Sequence, residues 1–336
     1  MSTIIVPPSS VYKTTTQAPK VWNALNGLVA IYKPQGIWTN VLLNQLKLHL
    51  CTDLNELDKR PPEPYVHIHG ETNKELSVTV EPSYADHELV VGPRYQPSDI
   101  RMLPVNLLSG KMSGVTIIGI NNGTAAAHRL RNIKPISYFK VKGILGKATD
   151  NNFVDGRIIE KANYHHIKRH HIDKICATLQ SSYQKSMFEA CGVDIQSQAA
   201  YELAVQGLIR PTQKEIPLIY NLKCIDFNPP EFTLEIVCLN TSELALKQLV
   251  QNLGLAVRTN ATCSLLQCFQ IGIFNIEHAL LKRNWSVQPI IDNMYMIKKI
   301  MQERKELFMP EDPILKQFLA DDGSEVDTDV EIYGNV

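Results

Sequence analysis

The stretch Leu103–Gly123 (LPVNLLSGKMSGVTIIGINNG) constrains this chain most. A small-residue turn, Ser109-Gly110-Lys111-Met112-Ser113-Gly114, runs straight into the apolar segment Val115–Ile120. A turn that feeds a β-branched run reads as a loop at the edge of a buried strand. Loops held by a rigid strand are where sites are usually built. The chemistry is therefore sought here first.

The flanking pattern mixes strands and helices. Gly27–Tyr32 reads as a buried strand, followed by the turn Lys33–Gly36 and a helix over Thr39–Leu50. Tyr65–His69, Glu75–Val80 and Leu89–Val91 read as strands; in the second, Leu76, Val78 and Val80 alternate. Thr124–Arg131 reads as a helix and Phe139–Leu145 as a strand. A polar loop, Gly146–Gly156, leads to Arg157–Glu160. Helices are expected over Ile172–Leu179 and Gln196–Leu208, and a strand pair over Leu218–Phe227 and Phe232–Leu239. Ser242 is placed to cap a helix through Asn252, with Gly254 in the C′ position. One or two strands follow in Ala256–Phe274. No regular βαβ repeat emerges, so the class is α+β with a mixed sheet flanked by helices.

Residues 1–26 read as a flexible leader, 27–285 as the main domain, 286–309 as a C-terminal helix and 310–336 as an acidic, disordered tail. The leader has weak targeting character. Residues 1–52 contain no Asp or Glu and the leader carries Ser9, Ser10 and Thr14–Thr16, but Arg is missing. With 336 residues, 44% hydrophobic and 20% charged, the body can bury a real core. A formal net charge of zero argues against a strongly basic nucleic-acid binder, yet leaves room for a local basic face. Seven scattered cysteines without a C-x-x-C pair read as buried thiols. No apolar run is long enough to span a membrane.

Most other candidate motifs have a plainer reading. His166 and His170 are four apart, which suits metal ligands on one helix face, but no carboxylate or thiol is spaced to complete the set. With Lys168 and Arg169 the segment reads as a solvated, basic helix start that could meet phosphate. Gly119–Gly123 lacks the spacing of a nucleotide cradle and reads as a strand-ending turn that caps the next helix. Cys191 and Cys263 lack a His or Asn at a recognisable catalytic spacing. Lys33 suits either a phosphate contact or an ordinary turn. Neither a metal nor a cofactor is expected.

Several segments together resemble the TruB family of RNA pseudouridine synthases, most of all its mitochondrial branch in animals. They are GLVAIYKPQG (27–36), SGVTIIGINNG (113–123), VKGILGKATDNNFVDGRIIEK (141–161), AYELAVQGLIRP (200–211) and PPEFTLEIVCL (229–239). The resemblance implies a mixed-sheet pseudouridine synthase fold, RNA as partner and a mitochondrial location. It also implies a flipped-out uridine and an aspartate that acts near C1′ of its ribose.

That aspartate lies five residues before the second glycine of the small-residue turn, within an R-L-D run. Here the position is Ser109, preceded by Asn106-Leu107-Leu108. A serine hydroxyl is neutral and offers no fixed charge to an oxocarbenium-like state. By the same resemblance, the base-stacking tyrosine becomes Phe139 and the arginine that pairs the aspartate becomes Lys247. A tyrosine–serine pair becomes Ala190 and Cys191, and a paired arginine falls at Gln267 and Cys268.

The expectation is an RNA-binding member acting on mitochondrial RNA without catalysis, with Lys33, Phe139, Lys147 and Lys247 lining the cleft. The alternatives are an active isomerase with a displaced nucleophile, which a carboxylate near Phe139 would favour, and a scaffold that works through protein contacts.

Overall fold

The computed structural model describes residues 4–6, 13–58, 64–71, 73, 75–83, 88–205 and 217–303. A short antiparallel pair, β1 (Ile4–Val6) and β2 (Lys13–Thr15), precedes α1 (Ala18–Ala24). Next come β3 (Gly27–Lys33) and α2 (Thr39–Glu56), then a two-stranded ladder of β4 (Pro64–His69) with β5 (Ser77–Pro82). A helical turn α3 (Glu88–Val91), β6 (Met102–Pro104), β7 (Met112–Ile120), α4 (Gly123–Ile133) and β8 (Ser137–Leu145) follow. A second small ladder pairs β9 (Lys147–Thr149) with β10 (Ile158–Lys161). The rest comprises α5 (Arg169–Ala190), α6 (Gln198–Val205), β11 (Leu218–Asn228), β12 (Glu231–Leu239), α7 (Glu243–Ala256), β13 (Ala261–Ile271), β14 (Phe274–Asn275) and α8 (Val287–Glu303).

The main sheet runs β11-β12-β8-β13-β7-β3, with β14 paired to β13 and β6 to β7. Every residue of β7 is buried, Ser113 and Thr116 included, as in a strand covered on both faces. Its pairing with β13 is parallel while the others in this sheet are antiparallel, so the sheet is mixed. One register row crosses five strands: Lys33, Gly114, Cys268, Phe139 and Ile236. Gly114 sits at φ +127, where a Cβ would meet the Cys268 carbonyl oxygen at 2.0 Å. Only glycine lets the two parallel strands approach so closely there. Apolar clusters pack against the sheet, one including Phe139, Phe153 and Leu246, another Val21, Leu46 and Ile290.

Several expectations change. Ordered structure begins before Gly27, because Ala18, Val21 and Leu25 are buried in the same cluster as α2 and α8. Leu89–Val91 is helical, since an apolar triplet is too short for periodicity to separate strand from helix. Leu76, Val78 and Val80 are all exposed, so their alternation does not mark a core face. The Gly146–Gly156 loop contains strand β9. Gly254 lies inside α7 rather than beyond it; a Cβ would come 2.5 Å from Ala261 N, so the glycine serves helix–strand approach. Asn122 precedes α4 without a side-chain cap bond. The expected tail at 310–336 and the last six residues of the 286–309 helix lie outside the described residues, as does 206–208 of the Gln196–Leu208 helix.

Candidate functional site

The turn at Ser109 is fixed from several sides. Thr39 Oγ1, at the start of α2, donates to the Leu108 carbonyl at 2.7 Å and accepts from Leu108 N at 3.3 Å. Gly36 N donates to the Gly110 carbonyl at 2.7 Å, and Met112 N to the Ser109 carbonyl at 3.2 Å. Lys33, at the end of β3, is fully buried; its Nζ donates to the Met112 carbonyl at 2.6 Å and the Pro34 carbonyl at 3.2 Å. Burial draws the Lys33 ammonium down from 10.5 to about 8, against the opposing attraction of Glu243. Lys33 is thus a brace for the turn and not a surface phosphate contact.

Across from this turn, Ser242 caps α7 by accepting from Ala245 N at 3.2 Å, which places Glu243 at the helix start. The Glu243 carboxylate accepts from the Ser109 hydroxyl through one oxygen and pairs with Lys247 Nζ through the other. Side-chain exposure is 20% for Glu243 and 10% for Lys247, against 50–67% for the other i,i+4 ion pairs among the described residues. Burial works to raise the Glu243 carboxyl. Hydrogen bonds from Lys247 and Ser109, with the charges of Lys247 and Lys111, outweigh it and leave the group below its ordinary value. Glu243 is therefore ionised near neutral pH.

The Lys247 ammonium lies 5.4 Å from the centre of the Phe153 ring, and the Lys111 ammonium lies 5.6 Å from it. Lys111 also pairs with Asp155. Trp38, 64% exposed, lies beside Gly110: a Cβ there would stand 3.3 Å from the indole ring.

The expected site residues thus separate. Ser109 and Lys247 meet on one carboxylate, and Lys33, bonded to backbone carbonyls, feels its charge. Phe139 lies in the same sheet row as Lys33, but at 4% exposure its ring is enclosed by the apolar cluster that includes Leu108, Met112 and Phe153. Lys147 is exposed on β9, and among the described residues its side chain joins none of the contacts around Ser109. Glu243, Lys111 and Trp38 were not expected. A Ser-Glu start followed by Lys at i+4 was the sequence signal for the first of these.

The other candidates disperse. Helix α5 begins at Arg169, so His166 lies outside it, with its Nε2 3.1 Å from the Val257 carbonyl oxygen. Among the described residues, no group of three or more His, Cys, Asp or Glu could hold a metal ion. Six cysteines are buried and Cys191 is half-buried. Burial pushes the Cys263 thiol up to about 12, which removes it as a thiolate nucleophile. Among the described residues, no helix is long and apolar enough to cross a membrane.

The profile of the TruB family pseudouridylate synthase N-terminal domain matches residues 108–242, ending one residue before Glu243. The mitochondrial pseudouridylate synthase TRUB2 of Homo sapiens is 35% identical over 277 residues, 80% of this chain and 82% of that protein. Its Xenopus tropicalis counterpart is 36% identical over 280 residues, 81% of this chain and 86% of that protein. Pseudouridylate synthase TRUB1 of Mus musculus is 24% identical over 93% of this chain and 82% of its own length.

Proposed function

The chain belongs to the TruB family of pseudouridylate synthases, and from that premise we propose that it binds RNA in mitochondria and receives a uridine beside Ser109, without the aspartate its family uses there. The observation that carries this reading is the charge around the turn. The Lys33, Lys111 and Lys247 ammoniums leave the Glu243 and Asp155 carboxylates without net negative charge, and Lys111, with its side chain 40% exposed, is the one of the three that faces solvent. A turn without repulsion and with an exposed cation suits a phosphate backbone brought close to it. Exposed Trp38, just ahead of α2, adds an aromatic face beside Gly110 of that turn, of the kind on which an unstacked base can rest. The mitochondrial location is supported by the named location of the TRUB2 relatives.

A second reading, an active RNA pseudouridine synthase, is favoured by a specific observation: a carboxylate does stand at Ser109, contributed by α7. The loss of the loop aspartate alone would leave the first reading complete.

RNA binding is tested with purified protein and unmodified transcripts of the mitochondrial genome, titrated between 50 and 200 mM salt. With the exposed Lys111 and Lys147 at phosphates, affinity should fall with a log–log slope of about −2. Lys111→Gln should make that slope about one unit shallower. Salt-independent affinity, or none, would instead favour a scaffold working through protein contacts.

A further inference from the structure

We infer that Glu243 has taken over, from α7, the carboxylate role that Ser109 vacated on the loop. The inference rests on the RNA-binding reading above and names the group that acts on the bound uridine.

The plain account of Glu243 is a first-turn acid paired with Lys247 at i,i+4, as on many helix surfaces. Two observations separate it from that account. Elsewhere the described i,i+4 ion pairs are at least half exposed, whereas this one is mostly buried. It also reaches 134 residues back along the chain to the hydroxyl of Ser109. By resemblance, an acid on the loop would be answered there by a base on the helix. In this chain the helix supplies both, and the loop supplies a neutral donor that orients the acid. The carboxylate is ionised, held by one ammonium and one hydroxyl, and still a fifth exposed, so an unused lone pair on each oxygen remains for a ligand.

Such a group suits the isomerisation. As the N1–C1′ bond of the uridine breaks, its electron pair leaves with the uracil and positive character grows at C1′. The Glu243 oxygen meets that charge, either as an ion partner or by a transient bond to C1′. The uracil turns and its C5 forms the new bond to C1′, and any bond to the carboxylate returns its pair to oxygen. The C5 proton passes to water and N1 takes one up. Atoms and electrons balance without a cofactor. Lys247 and Ser109 act as positioning residues through the carboxylate.

The test uses full-length protein in excess over mitochondrial transcripts carrying tritium at C5 of uridine, with RNA binding measured in parallel. Wild type should release tritium. Glu243→Gln should still bind RNA and, compared at saturating protein so that any change in affinity is removed, lose at least about a hundredfold in rate, as expected when a preorganised charge is removed. The double variant Ser109→Asp with Glu243→Gln returns the acid to the loop and should recover activity, which a variant impaired only in folding would not. Wild type that binds RNA yet releases no tritium, or Glu243→Gln at wild-type rate, would overturn the inference and leave the binding reading standing. Failure of wild type to bind any transcript would overturn the binding reading itself.

Discussion

Glu243 is held charged by Lys247 and Ser109, so part of the stability of the fold should depend on pH through this one side chain. Its folded carboxyl lies below the ordinary 4.5, so its stabilising contribution is complete above that value and is lost as pH falls through the folded value. Glu243→Gln removes the charge and keeps the shape. Near pH 7 the variant should be about 1–3 kcal/mol less stable, the range for losing charge-assisted hydrogen bonds. That gap should narrow as pH falls below about 4.5, when measured by urea unfolding across pH 3–7. A gap that does not change with pH would mean the carboxylate is not ionised in place. Ser109 and Lys247 were legible in the sequence because a family pattern marks their positions. Glu243 was not, because its meeting with Ser109 is made by the fold across 134 residues. Phe139 was correctly placed on a strand, but its burial depends on the packing of Leu108 and Met112 beside it, which periodicity does not encode.

Among the elements, the seam between β7 and β13 is the least tolerant of change. It is the parallel pairing in an otherwise antiparallel sheet, and it carries the turn that presents Ser109. Gly114→Ala would drive a methyl into the Cys268 carbonyl and force an L-residue to φ +127. A loss of about 3 kcal/mol or more is expected, combining overpacking with the backbone penalty. Chemical denaturation would show it, and a loss under 1 kcal/mol would mean the seam can part. The central strands and helices α2 and α4 were legible because a buried strand is mostly apolar along its length and a packed helix repeats its apolar positions, whereas α5 runs on to Ala190, past the expected end at Leu179. The elements misread were those where one local signal has two physical causes. Leu89–Val91 offers too few residues to show a period, and Gly254 is a glycine kept for close approach to β13 rather than for a helix end.

Across the whole molecule, the N-terminal helix α1 is a structural part of the body. Ala18, Val21 and Leu25 are buried in the cluster that also holds side chains of α2 and α8, and Ala18 N donates to the Asp58 carbonyl at 2.9 Å. Composition gave no sign of this, because a run poor in acids looks the same in a leader as in a helix packed by three apolar residues. A chain beginning at Gly27 should lose about 4 kcal/mol, from the burial of Val21 and Leu25 alone. Thermal unfolding of the shortened chain beside the full one checks this, and equal midpoints would return α1 to the leader. The same helix fixes where the chain tolerates a cut: a protease that cleaved between Ala18 and β3 would strip Val21 and Leu25 from the cluster they share with α2 and leave a body already weakened.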